Sequence, residues 1–413
     1  MDSQNVKIAE YLKIIDEVIA NGEYKDNWES LSKYPVPKWY NESKLGIFSH
    51  WGVFTVPEYM CEWYPRFMYH RGHPVHHYHK KHYGIDFQYK DFIPMFKGEK
   101  FDAKSWVDLI KLSGADFYMP VAEHHDGFKL HKSALSKWNS VEMAMKRDII
   151  GELKEECNKQ NIIFGMSNHR AEHYFFMNGM KTLNDKTREE AEKFAEFYGP
   201  CHNPFDWNFV ANILNYYLEK IDTPVEWRES WLVHACEQVD LYRPKQFYYD
   251  WMVHRPEYRP EIKKFLAYYY NRSLEWGEEV CLAYKRDALM YGCGIYDRER
   301  GQLPMISKEK WQCDTSTAKN AWIYCKSNRW KSAKNLAGTF VDVVSKNGNL
   351  LLNLCPRADG SFCKEEQELI AKFGAWNVVH HAQIWDTKPY KVFGEGAVKS
   401  VGTMKEKSEF NKN

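Results

Sequence analysis

A chain of 413 residues is long enough for one large domain of roughly 250 to 350 residues with an appendage. Its 57 Lys and Arg stand against 56 Asp and Glu, so no bulk field recruits nucleic acid or an anionic membrane. No run approaches the ~20 apolar residues of a membrane span, and the 10 cysteines lack paired C-x-x-C spacing, which suits buried thiols in a reducing compartment.

Residues 1–24 read as an amphipathic helix ending near Gly22. They lack the basic, apolar, then small-residue order of a signal peptide, so a cytoplasmic location is expected. Residues 35–40 are turn-rich, and 44–52 form the first buried strand, in which Gly46-Ile47-Phe48 delivers Ser49-His50-Trp51-Gly52. Residues 57–100 are aromatic and rich in histidine (His70, His73, His76, His77, His79, His82). With no Cys or carboxylate interleaved until Asp86, that run reads as a loop with a surface helix rather than a metal cluster.

Residues 103–113 have helical spacing, with Gly114 as a stop. The apolar run 117–121 then ends in Glu123, His124, His125 and Asp126, before Gly127. Four titratable groups in a row are costly to bury unless paired. A second helix, 148–161, feeds a strand at 162–166, followed by His169-Arg170-Ala171-Glu172-His173. Residues 178–208 are polar and turn-rich, and a long loop over the site is expected there.

A helix at 229–242 precedes the strand 246–249, which ends in Asp250-Trp251, and a helix at 259–273 precedes the strand 279–284. Further strands are expected at 294–296, 311–315 and 349–354, with helices at 333–344 and 365–378. Residues 386–413 are polar and lysine-rich without periodicity, and suit a frayed tail or the stump of something longer.

Alternation of strand and helix about eight times predicts a parallel sheet. No G-x-G-x-x-G follows an early strand, which argues against a dinucleotide-binding sheet. Polar groups arrive from strands early, middle and late in the chain, and a closed (β/α)8 barrel gathers them at one mouth. The expected division is therefore a barrel over 1–385, including the N-terminal helix, and a polar segment over 386–413. Aromatics make up 16% of the chain, a composition that suits sugar faces as well as a large core.

The sequence resembles glycoside hydrolase family 29, the α-L-fucosidases. The stretches that carry the resemblance are KLGIFSHWGVFTVPEY with EWYPRFMY (44–69), VAEHHDGFKLHKSALSKWNS (121–140), DIIGELKEECNKQNIIFGMS (148–167), WQCDTS (311–316) and SKNGNLLLNLCPRADGSF (345–362). They span about 40 to 385. The family fold is a (β/α)8-like barrel followed by a β-sandwich, and because only 28 residues follow Trp385 the sandwich is expected to be absent or truncated.

The resemblance implies hydrolysis of terminal α-L-fucosides of oligosaccharides or glycoconjugates, with retention through a glycosyl-enzyme and without a metal or cofactor. It places the nucleophile at Asp250, with Tyr248 and Trp251 departing from the family's usual Trp two residues before the Asp and Gly after it. The acid/base falls on Glu299 within the run 294–301, with Asp297 and Glu123 as substitutes. Arg298 and Arg300 beside Glu299 would lower its pKa, whereas a general acid needs it raised.

His50, Glu62, Trp63, His124 and His125 map onto fucose-holding positions; neutral imidazoles donate one hydrogen bond and accept another, as ring hydroxyls require. The family's tyrosine after the third strand falls near Asn168, another departure. Asn168, His169, Tyr248 and Trp251 join the expected sugar-binding set, and Lys285 or Arg286 stands where a basic residue meets the sugar.

Two readings compete with the glycosidase. The run His169 to His173 is also an inverse zincin motif, H-x-x-E-H, which would make a zinc hydrolase. The departures at Tyr248 and Asn168 would suit a sugar-binding relative that has lost catalysis. A homo-oligomer is compatible with either.

Overall fold

The structure is a computed structural model, and it describes residues 3–199, 223–395 and 400–405. Eight parallel strands close into a barrel in chain order: β1 (Leu45–Ser49), β2 (Phe117–Glu123), β3 (Ile163–Asn168), β4 (Gln246–Tyr249), β5 (Cys281–Lys285), β6 (Ile295–Asp297), β7 (Trp311–Ser316) and β8 (Gly348–Leu354). The eighth strand pairs with the first, Leu45 opposite Leu350 and Ser49 opposite Leu354. Closure leaves no free strand edge in the barrel.

Side chains alternate across each strand. Phe48, Phe117, Met119, Val121, Tyr248, Cys281, Ala283, Ile295 and Leu351 pack together as the barrel's inner core, while Leu45, Ile47, Tyr118, Phe247 and Tyr249 belong to the outer layer. That outer layer is covered by the helices Ala103–Leu112, Ile149–Gln160, Val225–Tyr242, Arg259–Trp276, Ala333–Ser345 and Lys364–Ile384. Gly165 stands on the inner face of β3, where a Cβ would come within 2.8 Å of the Gln246 carbonyl oxygen, so no side chain fits there. The N-terminal helix, Ser3–Asn21, lies on the helices Arg259–Trp276 and Val225–Tyr242.

Four expectations need correction. No helix follows β5 or β6 among the described residues, so the strand–helix alternation holds for six strands rather than eight. The described part of 178–208 is helical, in three short pieces: Gly179–Leu183, Asp185–Lys193 and Ala195–Tyr198. Asn184 caps the second by accepting from the Thr187 amide, and Met180, Leu183, Ala191 and Phe197 are buried at intervals that the polar composition conceals. Residues 200–208 of that stretch lie outside the described residues.

The third concerns 386–413, where Thr387–Glu395 pairs with Ser400–Lys405 as an antiparallel ladder, against the helix Ala333–Ser345. In the first of these strands Thr387 alone is buried and the rest are half-buried or exposed in no regular order, so its sequence shows no clean alternation. Residues 396–399 and 406–413 lie outside the described residues. The fourth is a matter of degree: 57–100 holds short helices at Tyr64–Phe67, Pro74–His82 and Tyr89–Met95. Its histidines bond backbone carbonyls, His76 to Met68, His79 to Phe87 and His82 to Tyr78.

Candidate active site

Inward-facing positions continue past each strand end, and this periodicity builds the mouth. On β4 the inward set is Gln246 and Tyr248, so the next is Asp250; on β5 it is Cys281, Ala283 and Lys285; on β7 it is Gln312 and Asp314. On β6 it is Ile295 and Asp297, and the next is Glu299. Two amides beyond β6 extend its pairing to β7, Arg298 N donating to Gln312 O at 2.9 Å and Arg300 N to Asp314 O at 2.8 Å. Glu299 is therefore held on a strand extension rather than on a slack loop.

These residues line a cavity of about 250 Å³ at the C-terminal mouth of the barrel. Eleven of the expected site residues share it: His50, Glu62, Trp63, His124, His125, His169, Tyr248, Asp250, Trp251, Lys285 and Glu299. Arg286 lines it too, with its guanidinium 5.5 Å from the Trp251 ring centre.

Lys285 is the hub. Its Nζ lies 2.9 Å from Asp250 Oδ1, 2.7 Å from Glu299 Oε2 and 3.3 Å from Asp314 Oδ2. Burial opposes its charge, but Asp250, Asp314, Tyr248 and Glu299 raise its pKa well above the ordinary lysine value. Asp250 answers in kind. Burial would raise its pKa, yet the Lys285 ammonium, His169 and the His125 hydrogen bond hold the carboxylate well below its usual range. Glu299 behaves oppositely: its side chain is 46% exposed, yet partial desolvation, with Asp314 and Asp250 adding to it, raises its carboxyl above the ordinary value against the pull of Lys285. Two carboxyls of one site are thus driven apart in pKa, the pattern of a nucleophile and a general acid.

The imidazoles form the opposite wall. His50 Nδ1 lies 2.7 Å from Asn353 Oδ1, an acceptor whose amide nitrogen is committed to the Trp322 carbonyl. The Nδ1 of His50 therefore carries the proton and Nε2 is left as an acceptor. His169 Nε2 bonds Ser167 Oγ at 2.7 Å, and its Nδ1 faces Asp250 Oδ2 at 3.3 Å. Burial lowers the pKa of His50, His124 and His169. His125 is different, with Nε2 3.4 Å from Asp250 Oδ2 and Nδ1 near both the His169 carbonyl and Glu172.

Three expected residues are not in the cavity. Asn168 ends β3 on the outward parity, where its Nδ2 donates to Gln238 Oε1 at 3.0 Å and its Oδ1 accepts from the Arg170 amide. It does not line the cavity. Asp297 lies one layer deeper than Glu299, accepting from Gln312 Nε2 at 2.7 Å; burial, then the neighbouring Asp314, raise its pKa well above the usual carboxylate value. Glu123 is fully buried between Lys129 Nζ at 3.0 Å and Arg170 Nη1 at 2.6 Å. These cations overcome the effect of burial and draw its pKa down to about 2, so it cannot serve as a general acid. Neither substitute for Glu299 lines the cavity.

The H-x-x-E-H reading also needs correction. His169, Glu172 and His173 do not share one helix, since a 3-10 turn, Arg170–Glu172, precedes a short helix that starts at His173. His173 Nδ1 turns to the His125 carbonyl at 2.9 Å, beneath Gly127, whereas His169 faces Ser167 and Asp250. Gly127 has φ +76°, and a Cβ there would meet the His173 ring at 2.5 Å, so only glycine fits. The two imidazoles do not present nitrogens to one ion. Two other sets, His50/His124/His169 and His125/His169/Asp250, bring donor atoms within 4.8 Å of one another. His169 is already held by Ser167 and Asp250 by Lys285, an arrangement that suits hydroxyl and charge partners on the cavity wall.

Asp314, Trp322 and Phe48 also line the cavity and were not singled out from the sequence. Asp314 accepts from Tyr248 Oη at 3.3 Å and faces Lys285. Its signal was available: within WQCDTS a carboxylate stands on a buried strand, two residues past an inward Gln312.

A family model described as alpha-L-fucosidase matches residues 12–381. The tissue alpha-L-fucosidase of Bos taurus is 28% identical over 382 residues, covering 90% of this chain and 74% of that protein. The tissue alpha-L-fucosidase of Homo sapiens is 27% identical over 391 residues, covering 92% and 75%. The crystal structure of Thermotoga maritima alpha-fucosidase in complex with fucose superposes with a TM-score of 0.73 at 27% identity, covering 89% of this chain and 80% of that one.

Proposed function

The chain belongs to the α-L-fucosidase family of glycoside hydrolases, and from that premise we propose that it releases terminal α-L-fucose from oligosaccharides or glycoconjugates by double displacement. The observation that carries the mechanism is the sharing of one ammonium by Asp250 and Glu299. Two carboxylate oxygens on a common Nζ lie within two hydrogen bonds of one another. That short separation supports the roughly 5 to 5.5 Å of retaining enzymes over the wider spacing of inverting ones.

In the first step Asp250, kept ionised, attacks the anomeric carbon while Glu299 gives its proton to the departing oxygen. In the second, the Glu299 carboxylate takes a proton from water, which displaces Asp250 and restores the anomeric configuration. Uncharged, His50 presents Nε2 as an acceptor to a ring hydroxyl and His124 can donate or accept, whereas His169 is already engaged by Ser167 and Asp250. Trp63 and Trp251 stack at 5.8 Å between ring centres and form an aromatic rim.

The division at 385/386 into a catalytic barrel and an appended segment belongs to the same reading. So does a reducing, cytoplasmic setting, supported by nine free thiols among the described residues. The test is the stereochemistry of fucose released from an aryl α-L-fucoside, followed by NMR. The α-anomer is expected first; first formation of the β-anomer, or no turnover by the folded protein, would overturn the proposal.

A further inference from the structure

Resting on the double-displacement reading, we propose that Glu172 is a positioning residue that holds His125 as an imidazolium, the counter-ion on which Asp250 is seated. The argument begins with the partners of one ring. His125 Nδ1 lies 3.0 Å from the His169 carbonyl oxygen and 3.3 Å from Glu172 Oε2, and Nε2 lies 3.4 Å from Asp250 Oδ2. All three partners are acceptors. A neutral imidazole has one N–H and would turn a lone pair toward an oxygen at one end, whereas the imidazolium satisfies both ends.

The other imidazoles of the cavity face no such constraint. Asn353 fixes one nitrogen of His50 and leaves the other to accept, His169 has a serine hydroxyl that can donate or accept, and His124 Nδ1 has no hydrogen-bond partner among the described residues.

Glu172 explains why the charge can stay. It is fully buried, on the 3-10 turn after β3, between His125 and Arg66, whose Nη1 is 3.5 Å from Oε1. The Arg66 guanidinium itself lies 5.4 Å from the Trp63 ring centre and 5.8 Å from that of Phe176. Charges therefore alternate along one line: Arg66, Glu172, His125, Asp250, Lys285. Among the described residues the rings packed on His125 are those of His124 at 4.4 Å, His169 and Phe176 at 5.2 Å and Trp63 at 5.7 Å between centres, and of these the two histidines titrate. Burial lowers the His125 pKa, but Glu172 and Asp250 outweigh it and raise the value above the ordinary one.

The consequence falls on the second step. When Asp250 becomes an ester, its negative charge is gone and His125 keeps an N–H directed at the same oxygen. As water attacks the anomeric carbon and the C–O bond to Asp250 breaks, the electron pair returns to a carboxylate that already has its cation in place. This gives a role to the glutamate of H-x-x-E-H that zinc chemistry does not.

The test uses the whole chain with 15N-labelled histidine, wild type and Glu172→Gln, with the His125 resonance assigned by His125→Gln. In the wild type both His125 nitrogens should be protonated near neutral pH. In Glu172→Gln, which keeps shape and an acceptor oxygen but removes the charge, one nitrogen should lose its proton. With a dinitrophenyl fucoside that variant should lose kcat about ten- to hundredfold, with a lowered KM and a burst as glycosyl-enzyme accumulates. A neutral His125 in the wild type would overturn the proposal without any variant. A slow Glu172→Gln with His125 still doubly protonated would also overturn it, since Glu172 would then act through packing alone, and so would a neutral ring with undiminished kcat. Product stereochemistry tests double displacement separately, so the two readings can fail independently.

Discussion

Asp250 and Glu299 are bound to the same ammonium, 2.9 and 2.7 Å from Lys285 Nζ. The pair works only if the two carboxyls differ in task, and single substitutions should separate them. Asp250→Asn keeps the shape without the charge and should abolish glycosyl-enzyme formation. Glu299→Gln should slow both steps, yet be partly spared with leaving groups acidic enough to depart unprotonated. Azide should rescue Asp250→Ala with an inverted fucosyl azide and Glu299→Ala with a retained one, which product NMR distinguishes.

The pH dependence follows from the directions of the shifts. Asp250, held below its usual range, must be ionised, so kcat/KM falls only when acid reaches that depressed value. Glu299, raised above its usual range, must be protonated, so activity falls as pH rises through it. The result is a bell with a low acid limb. Lys285→Met removes the cation that lowers both values, so both limbs of the remaining activity should move to higher pH. A profile that shifts on one side only would contradict the shared ammonium.

Asp297 should be dispensable for proton transfer. Burial and the neighbouring Asp314 raise its pKa and favour the protonated form, which Asp297→Asn imitates, so that variant should retain kcat/KM within about an order of magnitude. Activity toward poor leaving groups that collapses in Asp297→Asn but not in Glu299→Gln would exchange their roles.

Glu123 should matter for stability instead. Its pKa in the folded state is about 2, below the ~4.3 of an unfolded glutamate. The stabilisation is therefore present above the unfolded value and lost as pH falls from about 4 toward 2. Glu123→Gln leaves Lys129 and Arg170 buried without their anion and should cost about 3 to 5 kcal/mol in denaturant unfolding near neutral pH.

Prolonged dialysis against a strong chelator should leave kcat unchanged, and metal analysis of the purified protein should find less than stoichiometric zinc. His169 and His173 face different partners, so no site for a resident ion is built from that motif. Zinc whose removal abolishes hydrolysis would revive the metal-dependent reading.

The strands were legible because a buried parallel strand is a short apolar run, and the polar residues just past each run mark its C-terminal end. Asp250 could be reached that way, whereas Glu299 was reached through the family resemblance, and the structure shows that it too continues the inward parity of its strand. Asn168 could not be judged by position in a motif alone, because one residue of register turns a side chain from the cavity to the helix Val225–Tyr242. Asp314 could be found as a carboxylate on a buried strand, but its partner could not, because Lys285 stands two strands away in the barrel and far off in the chain. The helices of 179–198 were obscured by a polar composition in which few residues carry the buried face, and the pairing of Thr387–Glu395 depends on a partner strand that local periodicity does not reveal.

Between β5 and β7 the chain passes through 286–294 and 298–310 without a helix among the described residues. Elsewhere around the barrel a change in connection length must be absorbed beside a helix packed on the wall. In this sector the connections hang on strand ends, and doubling the length of such a loop costs only about 0.6 kcal/mol in closure entropy. The proposed proton donor therefore stands on a strand extension directly before the stretch that is easiest to lengthen, shorten or replace, while the proposed nucleophile is anchored between packed helices. Insertions at 286–294 or 302–310 should be tolerated by the fold, and a carboxylate grafted there into a Glu299→Ala background is the substitution by which proton donation could migrate along the chain with Asp250 left in place.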